Sequence, residues 1–349
     1  MREEVTKVLR IEKLTTQAEQ EWDNYVQASD KGTFYHQIGW RNAVEGAYRW
    51  KSHYLVAKEN AKIIGILPLF VIGGFPFSRA LVSLPFAPYG GICADKRSVR
   101  DRLCEAACEL ASREHVDYIE FRHFDEMDLE LSLRKDFATL IMRLDNDPDN
   151  LWKQFPAKVR NQTKKAIKSG LETRTGKQYL KEFYDVYAQN MRDLGTPVHS
   201  LVLFERLIEE FSDSIEVIVV LSSGKVIGGA FVAFYKDTAN DIWASSLRDY
   251  FKYCPNNLLY WEAIKRSCEK GCKYFDLGRS AWNAGTFKFK EQWGAEPKQL
   301  YYQYYSPKPG KVSGLNASDL KVRCFISIWK RLPIFIAKPL GPVLRRYIP

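Results

Sequence analysis

Two stretches of the chain repeat one pattern of apolar and polar positions. Residues 54–67 and residues 217–230 each contain a β-branched run, a polar turn and a second apolar run. The turns fall at residues 59–62 and 222–225. An apolar run on each side of a short polar turn is typical of a β-hairpin. The chain is therefore expected to contain two similar hairpins.

The resemblance between the two halves extends beyond the hairpins. Gly65 and Gly228 hold the same place in their stretches, and residues 114–121 parallel residues 270–277, each predicted to carry a helix end into a strand. The same parts occur twice in the same order, which favours a duplicated unit. Chance similarity is the alternative, because hairpins and helix–strand junctions recur in many α/β proteins.

Apolar positions at helical spacing, with glycines as stop signals, predict the remaining elements. The predicted helices span residues 99–113, 157–169, 179–194, 201–211 and 258–270. Helices alternating with hairpins indicate a mixed α/β class, with sheets flanked by helices. The turn-rich, charged residues 145–150 mark a boundary, so we expect domains at 1–147 and 148–308 and a basic amphipathic tail at 309–349.

Composition narrows the class of protein. The 349 residues are 46% apolar and 14% aromatic, enough to fill two cores, and the seven cysteines lack the paired spacing of a disulfide framework or zinc site. We therefore expect reduced thiols and no metal. No apolar stretch follows the charged N-terminus, and no uninterrupted apolar run is long enough to span a bilayer, so we expect a cytoplasmic protein.

The net charge of +10 indicates a polyanionic partner. Nucleic acid, an anionic membrane face and a phosphorylated substrate all have the required sign. Charge alone does not choose among them.

Several ordered motifs carry a resemblance to a known family. Residues 275–297 contain a strand, a glycine loop, Phe289-Lys290 and then Trp293-Gly294, and they resemble the closing motif of Fem-type transferases. The further motifs lie at residues 32–40, 85–91, 158–165, 194–198 and 257–262. Across residues 5–306 the order resembles FemAB-related proteins of bacterial exosortase (PEP-CTERM) and exopolysaccharide systems.

The resemblance implies two tandem GNAT-like domains, that is, the acyl-CoA N-acyltransferase fold. Fem enzymes move an aminoacyl group from charged tRNA to an amine on a cell-wall precursor. Members of the broader class use acyl-CoA, whose pyrophosphate binds a glycine-rich loop at a helix N-terminus. Residues 248–257 contain no glycine, which weakens the coenzyme alternative. No tightly bound cofactor is implied; the expected partners are aminoacyl-tRNA or acyl-CoA and a lipid-linked or sugar-nucleotide acceptor.

Acyl transfer to an amine requires an unprotonated amine and a stabilised oxyanion. Lys290, which matches the lysine of the Fem motif, is our first catalytic candidate as a cation beside the donor carbonyl. Phe289 is a candidate for stacking on an adenine or sugar. Lys288 is a further substrate-binding candidate. On a strand, Lys288 and Lys290 would share one face and Phe287 and Phe289 the other, whereas on a helix this sorting fails.

Other candidates surround this segment. Arg279 and Ser280 follow a buried-looking strand, where an arginine can clamp a carboxylate or phosphate; the alternative is a structural arginine paired with Asp276 or Glu296. Tyr89, Thr196 and Thr286 are also substrate-binding candidates, because they lie in the motifs that carry the resemblance.

Two predicted helices add further candidates. Arg160, Asn161 and Lys164 lie in a basic helix that would grip a pyrophosphate or a tRNA backbone, or would simply be solvated. Tyr260 and Glu262 are candidates for binding and deprotonating the acceptor, although acidic residues are ordinary on helix surfaces. His36 is expected to be a hydrogen-bonded packing residue.

The tail mixes basic residues with bulky apolar ones, as interfacial membrane segments do. Peripheral binding to the inner face of the plasma membrane and packing on its own domain stay open. Three functions also stay open. The first is a Fem-like transferase that forms an amide on a cell-envelope or exopolysaccharide precursor by direct attack of the acceptor amine. The second is an acyl-CoA-dependent N-acyltransferase of an amino-sugar precursor, and the third is a non-catalytic polyanion- or membrane-binding scaffold.

Overall fold

The chain forms two compact units in the computed structural model, which describes residues 9–75, 77–308 and 320–348. The first unit combines Met1–Lys135 with Gln299–Val312 and Arg346–Pro349, and the second combines Asp136–Lys298 with Ser313–Arg345. Both are layered α/β structures, as the sequence predicted.

The part of the chain up to Arg134 supplies most of the first unit. Its helices and strands are β1 (Leu9–Lys13), α1 (Glu19–Ala28), α2 (Ile38–Tyr48), β2 (Ser52–Glu59), β3 (Lys62–Gly73), β4 (Arg79–Val82), β5 (Cys93–Ala94), α3 (Arg97–Arg113), β6 (Tyr118–His123) and β7 (Ser132–Arg134).

The remaining elements belong mostly to the second unit. They are β8 (Phe137–Arg143), α4 (Pro148–Gln154), α5 (Ala157–Lys168), β9 (Leu171–Thr175), α6 (Leu180–Leu194), α7 (Leu201–Glu210), β10 (Ile215–Ser222), β11 (Lys225–Tyr235), β12 (Thr238–Ser246), α8 (Pro255–Glu269), β13 (Tyr274–Ala281), α9 (Gly285–Glu291), β14 (Glu296–Gln299), β15 (Tyr301–Tyr305), α10 (Leu320–Trp329) and α11 (Ile334–Arg345). The five helices predicted from periodicity all form, with ends shifted by at most three residues.

The two sheets have the same strand order. The first runs β1-β2-β3-β4-β6-β15-β7, with β5 paired to β3, and the second runs β9-β10-β11-β12-β13-β8-β14. In each, the strand after the long helix pairs parallel to its neighbour, starting at Tyr118 in β6 and Tyr274 in β13. The predicted correspondence between these two tyrosines therefore holds at the level of the sheet.

The two predicted hairpins share a local irregularity. Ala57 pairs with Gly65 but Lys58 pairs with Ile63, and Val220 pairs with Gly228 but Leu221 pairs with Val226. In both hairpins one residue, directly before the glycine, is therefore left over as a β-bulge. The same bulge at the same place in both halves supports the duplication.

One strand near each predicted domain boundary pairs away from its sequence neighbours. β8 precedes residue 147 but pairs with β13 in the second sheet, and β15 follows that unit in the chain but pairs with β6 and β7 in the first. Contiguous domains at 1–147 and 148–308 therefore do not separate the two sheets. Whether those segments fold independently stays a prediction.

The described part of the tail packs on the second unit. Trp329 is buried at the end of α10, and a Cβ added to Gly341 of α11 would lie 2.7 Å from Cγ1 of Val198. Pro333 lies between α10 and α11, whereas Pro339 and Pro342 lie inside α11. Residues 309–319 lie outside the described part.

Candidate active site

The second sheet opens between its two parallel strands. β12 pairs with β13 only over Thr238–Asn240 and Tyr274–Asp276. Beyond these pairs β12 continues with Asp241, and β13 bulges at Gly278, whose φ is +77°. A backbone group left without a strand partner must find another one when it is buried. The point where the strands part is therefore where side chains must enter the sheet.

Lys290 reaches into this opening from α9. Its ammonium group donates hydrogen bonds to the carbonyl oxygens of Gly278 at 2.9 Å and Arg279 at 3.2 Å. The side chain is buried, and burial lowers the pKa of Lys290, while the charges of Asp241 and Asp276 oppose that shift. The lysine singled out by sequence therefore lies in the opening, with two of its three N–H groups bound to backbone.

The helical alternative holds for this segment, so the strand sorting of its side chains fails. Residues 285–291 form helix α9, so side chains three apart share a face, and Phe287 and Lys290 both point inward. Lys288 is exposed and Phe289 is half-buried, its ring 5.2 Å from that of Tyr260. The two lysines thus have different environments and not the shared face that strand alternation predicted.

Asp241 and Tyr260 form a buried pair beside Lys290. The Tyr260 hydroxyl, carried by α8, donates to Oδ2 of Asp241 at 2.6 Å. Burial raises the pKa of Asp241 to about 6, while the Lys290 charge and the Tyr260 hydrogen bond act in the opposite direction. Its Oδ1 has no hydrogen-bond partner among the described residues. The arrangement leaves one oxygen of a carboxyl that titrates near neutral pH able to accept a proton.

Asp276 fixes the bulge next to this pair. Its Oδ1 accepts from the Gly278 amide at 2.8 Å and from the Thr139 hydroxyl of β8. A Cβ at Gly278 would come within 3.0 Å of the Asp241 carbonyl oxygen, so the close approach of the strands there needs glycine. Sequence reasoning missed Asp241. The available signal was an acidic residue inside strand β12, where a buried carboxylate must be paired.

The candidates that follow β13 and open α9 differ in exposure. The Arg279 side chain is exposed, with its guanidinium 4.5 Å from the ring centroid of Phe137. Ser280 is buried and its Oγ has no hydrogen-bond partner among the described residues. Thr286 is exposed in the first turn of α9. The structure thus brings Ser280 into the interior and places Arg279 and Thr286 at the surface of this unit.

The basic helix α5 lies against α8. The Asn257 amide of α8 donates to the Gln162 side chain at 3.3 Å, and Nε of Arg160 donates to the Phe155 carbonyl at 3.1 Å. Asn161 and Lys164 are exposed. Arg160 therefore has a structural contact at the end of α4, and the exposed positions of α5 form a cationic face.

Glu262 and Thr196 lie apart from the pair of Asp241 and Tyr260. Two positions on a helix are about 200° apart, so Glu262 leaves α8 on a different face from Tyr260, and its charge acts on Arg266. Thr196 follows the end of α6, where its amide donates to the Met191 carbonyl at 2.9 Å. Their proposed roles stay predictions that this geometry does not support.

Two sequence candidates belong to the first unit. The Tyr89 ring packs edge-on against Tyr35 at 5.5 Å and Phe124 at 5.1 Å. His36 is buried, and its Nε2 lies 3.1 Å from the Gly91 carbonyl oxygen. His36 is therefore the hydrogen-bonded packing residue that the sequence predicted.

The described residues contain no group of three or more His, Cys, Asp or Glu side chains arranged to hold a metal. A cavity of about 720 Å³ lies in the first unit, lined by residues of β1, β2 and α3 and by Lys51 and Glu114. None of the predicted site residues lines it. In the second unit, Tyr260 and Lys290 are the sequence candidates that meet in a buried cluster, together with Asp241.

A known protein family matches the part of the chain that contains this cluster. The sequence model of the family described as "Acetyltransferase (GNAT) domain" matches residues 153–291, which contain β12, α8, β13 and α9. A comparison with curated protein sequences finds no match.

Solved structures match both units. The crystal structure of FemX is 14% identical, with a TM-score of 0.65, over 84% of this chain and 96% of that chain. A tandem GNAT protein from the clavulanic acid biosynthesis pathway is 12% identical, with a TM-score of 0.58, over 87% and 100%. The C-terminal domain of a putative lysylphosphatidylglycerol synthetase from Agrobacterium fabrum is 14% identical, with a TM-score of 0.56, over 82% and 91%. The chain therefore has the tandem GNAT fold, as the resemblance predicted.

Proposed function

We propose that this protein is an N-acyltransferase of the Fem-like kind and that its second unit transfers an acyl or aminoacyl group to an amine. The observation that carries the proposal is the buried cluster of Asp241, Tyr260 and Lys290, which lies where β12 and β13 part, inside the segment that matches the acetyltransferase domain. The resemblance in sequence suggests an acceptor amine on a cell-envelope or exopolysaccharide precursor of the kind found in exosortase systems.

Asp241 is the proposed general base. The acceptor nitrogen attacks the donor carbonyl carbon, its excess proton passes to the free oxygen of Asp241, and the C–O or C–S bond to the donor breaks as the leaving oxygen or sulfur takes up a proton. A base with a pKa of about 6 is ionised at neutral pH and still accepts a proton readily. Burial and the Asp241 charge raise the pKa of Tyr260, so its hydroxyl stays protonated and orients the carboxylate.

Lys290 is the proposed electrostatic residue, as the sequence suggested. Two of its N–H groups hold the β13 carbonyls, which leaves the third for the oxyanion that forms during transfer. Its charge also favours the ionised form of Asp241. One lysine would thus support both the base and the transition state.

The start of α8 favours an aminoacyl ester donor over a coenzyme A thioester. Pro255 opens the helix, so one backbone N–H is missing, and the Asn257 backbone N–H donates to the Cys254 carbonyl at 3.1 Å. A pyrophosphate at a helix N-terminus needs free amides and close backbone approach. The exposed cationic face of α5 would suit a tRNA backbone. The acetyl-CoA alternative is supported by the family match, because that family is described as an acetyltransferase domain.

Donor use separates the three functions. The full chain would be incubated with acetyl-CoA and with charged tRNA, each labelled in the acyl group, together with an amino-sugar nucleotide or a lysine-containing cell-wall precursor peptide. Labelled amide formed from charged tRNA supports the proposal, and amide formed only from acetyl-CoA supports the alternative. If the chain binds tRNA but consumes neither donor in the presence of either acceptor, the result favours the non-catalytic scaffold and contradicts the proposal.

A further inference from the structure

Helix α11 turns an apolar face outward. Phe335 is 75% exposed and Val343 is 53% exposed, and Ile336 and Leu340 are exposed between them. Residues spaced by one, five and eight positions share one side of an α-helix. The face spans about 12 Å along the helix at 1.5 Å per residue. Isolated apolar side chains are common on protein surfaces, but a contiguous apolar face indicates a binding surface.

The opposite side of α11 is held by the second unit. Gly341 and Ala337 are buried, and a Cβ at Gly341 would lie 2.8 Å from the Val198 amide nitrogen. Lys338 pairs with the Asp185 side chain of α6. Because these contacts anchor the helix, its outward face is ordered before it meets any partner.

The charges carried by the described tail itself have one sign. Residues 320–348 contain seven Lys and Arg residues and no Asp or Glu. Arg323, Lys330, Arg331 and Arg346 are exposed. Apolar side chains on a segment whose own charges are all basic match an anionic bilayer, which offers an apolar interior beneath phosphate headgroups.

We propose that the outward face of α11, defined by Phe335, Ile336, Leu340 and Val343, docks on the surface of an anionic phospholipid bilayer. The helix lies in the plane of the interface, with its apolar side chains among the acyl chains and the neighbouring basic side chains at the phosphates. No helix in the described part of the chain is long and apolar enough to cross a membrane, so the attachment is peripheral. This inference is independent of the proposed transfer reaction.

Vesicle co-sedimentation of the full chain tests the proposal. Vesicles of phosphatidylcholine alone would be compared with equimolar phosphatidylcholine and phosphatidylglycerol. We expect binding to the anionic vesicles and much weaker binding to the neutral ones. Burying one such side chain in the bilayer changes affinity about tenfold, so Phe335→Glu combined with Val343→Glu should lower the partition coefficient by about 100-fold.

Two further variants sharpen the result. Val202→Glu is a matched control, because Val202 is a 41% exposed apolar residue on α7, outside the basic segment; this variant should bind like the native chain. Lys330→Gln with Arg331→Gln should reduce binding to anionic vesicles by roughly fivefold per charge without affecting neutral ones. All substituted side chains are exposed or at the surface, so thermal unfolding should show native folding.

Three outcomes would overturn the proposal. The first is that the chain does not bind anionic vesicles, and the second is that it binds equally to the two lipid compositions. The third is that the Phe335→Glu/Val343→Glu variant and the Val202→Glu control partition equally. Binding of an acidic protein through the same face, with no vesicle binding, would assign the surface to a protein partner instead.

Discussion

Sequence reasoning identified Lys290 as a candidate site residue but did not identify Asp241. Lys290 was found because it lies in a recognisable motif, whereas Asp241 lies in a strand, 49 positions earlier in the chain. Only the parting of β12 from β13 and the inward turn of α9 bring both to one place. A pair of side chains brought together by non-local folding leaves no characteristic spacing in the sequence, and an acidic residue inside a strand is its local sign.

The raised pKa of Asp241 predicts a specific pH dependence of stability. The folded state holds this proton more tightly than the unfolded state between about pH 4 and pH 6, so its contribution to the free energy of unfolding is lost as the pH rises through that range. A shift of about two units corresponds to about 3 kcal/mol. Urea denaturation at pH 4 and pH 7 should show this dependence in the native chain and not in Asp241→Asn.

The exposed Asp249 provides the control for this comparison. Asp249→Asn should keep the native dependence on pH. If the native chain and Asp241→Asn respond identically to pH, the carboxyl does not titrate in this range and the proposed base is wrong.

Lys290→Met should lower both activity and stability. The substitution leaves the Gly278 and Arg279 carbonyls and the Asp241 carboxylate without their cation, and removing one partner of a buried charge pair costs about 3–5 kcal/mol. Loss of an oxyanion donor lowers turnover on the order of 10²–10³-fold. The measurements are urea denaturation and turnover under conditions where the variant is folded.

Lys288→Met is the matched control, because this lysine is exposed and lies two positions before Lys290 on the same helix. Its stability should change by less than about 0.5 kcal/mol. Equal losses in the two variants would refute a special role for Lys290 and indicate that both lysines bind phosphate.

At the scale of elements, the local pattern predicted the hairpins and the long helices but did not decide between strand and helix for α9. The alternation of Phe287, Lys288, Phe289 and Lys290 imitates the period of a strand, but burial of Phe287 and Lys290 follows the helical spacing of three. A seven-residue element gives too few positions for periodicity to decide, and tertiary contacts to β13 determine it. The paired glycines, in contrast, marked the two bulges directly.

The bulge glycine of the first hairpin is predicted to be intolerant of a side chain. A Cβ at Gly65 would lie 2.6 Å from Val99 Cγ1 and 3.0 Å from Ala94 Cβ. Gly65→Ala should therefore destabilise the protein by about 1–3 kcal/mol through overpacking. Denaturant titration measures the change.

Gly285 is the comparison position, because a Cβ there would meet no atom within 4 Å and its backbone has no positive φ. Gly285→Ala should be neutral or stabilise by up to about 1 kcal/mol. Equal stability of the Gly65→Ala variant and the native chain would show that the packing at the bulge is looser than described.

For the whole molecule, composition and resemblance predicted two α/β units, and the strand order confirmed the repeat. β8 pairs in the second sheet and β15 pairs in the first. Sequence reasoning could not predict this exchange of strands, because the turn-rich residues 145–150 look like a domain linker. When two strands lie far apart in the chain, the geometry of the sheet edges determines whether they pair, and local composition does not.

This exchange predicts that residues 1–147 will not fold alone. Such a fragment lacks β15, which covers β6 and supplies Gln303, whose Oε1 lies 3.0 Å from Nδ1 of the buried His123. An exposed inner strand and an unpaired buried histidine should abolish cooperative unfolding. Adding residues 299–306 through a flexible linker should restore it, as urea denaturation followed by circular dichroism would show. Cooperative unfolding of the bare fragment would contradict this account.

The central claim is that Asp241 serves acyl transfer in the second unit, and the most direct test is the pH dependence of kcat/KM for the labelled donor that supports amide formation. The account predicts a limb that rises with pH around a pKa of about 6 in the native chain, as Asp241 loses its proton. Asp241→Asn should lower kcat/KM by about 10²–10⁴-fold and remove this limb. A folded Asp241→Asn protein with near-native kcat/KM and an unchanged pH profile would contradict the claim.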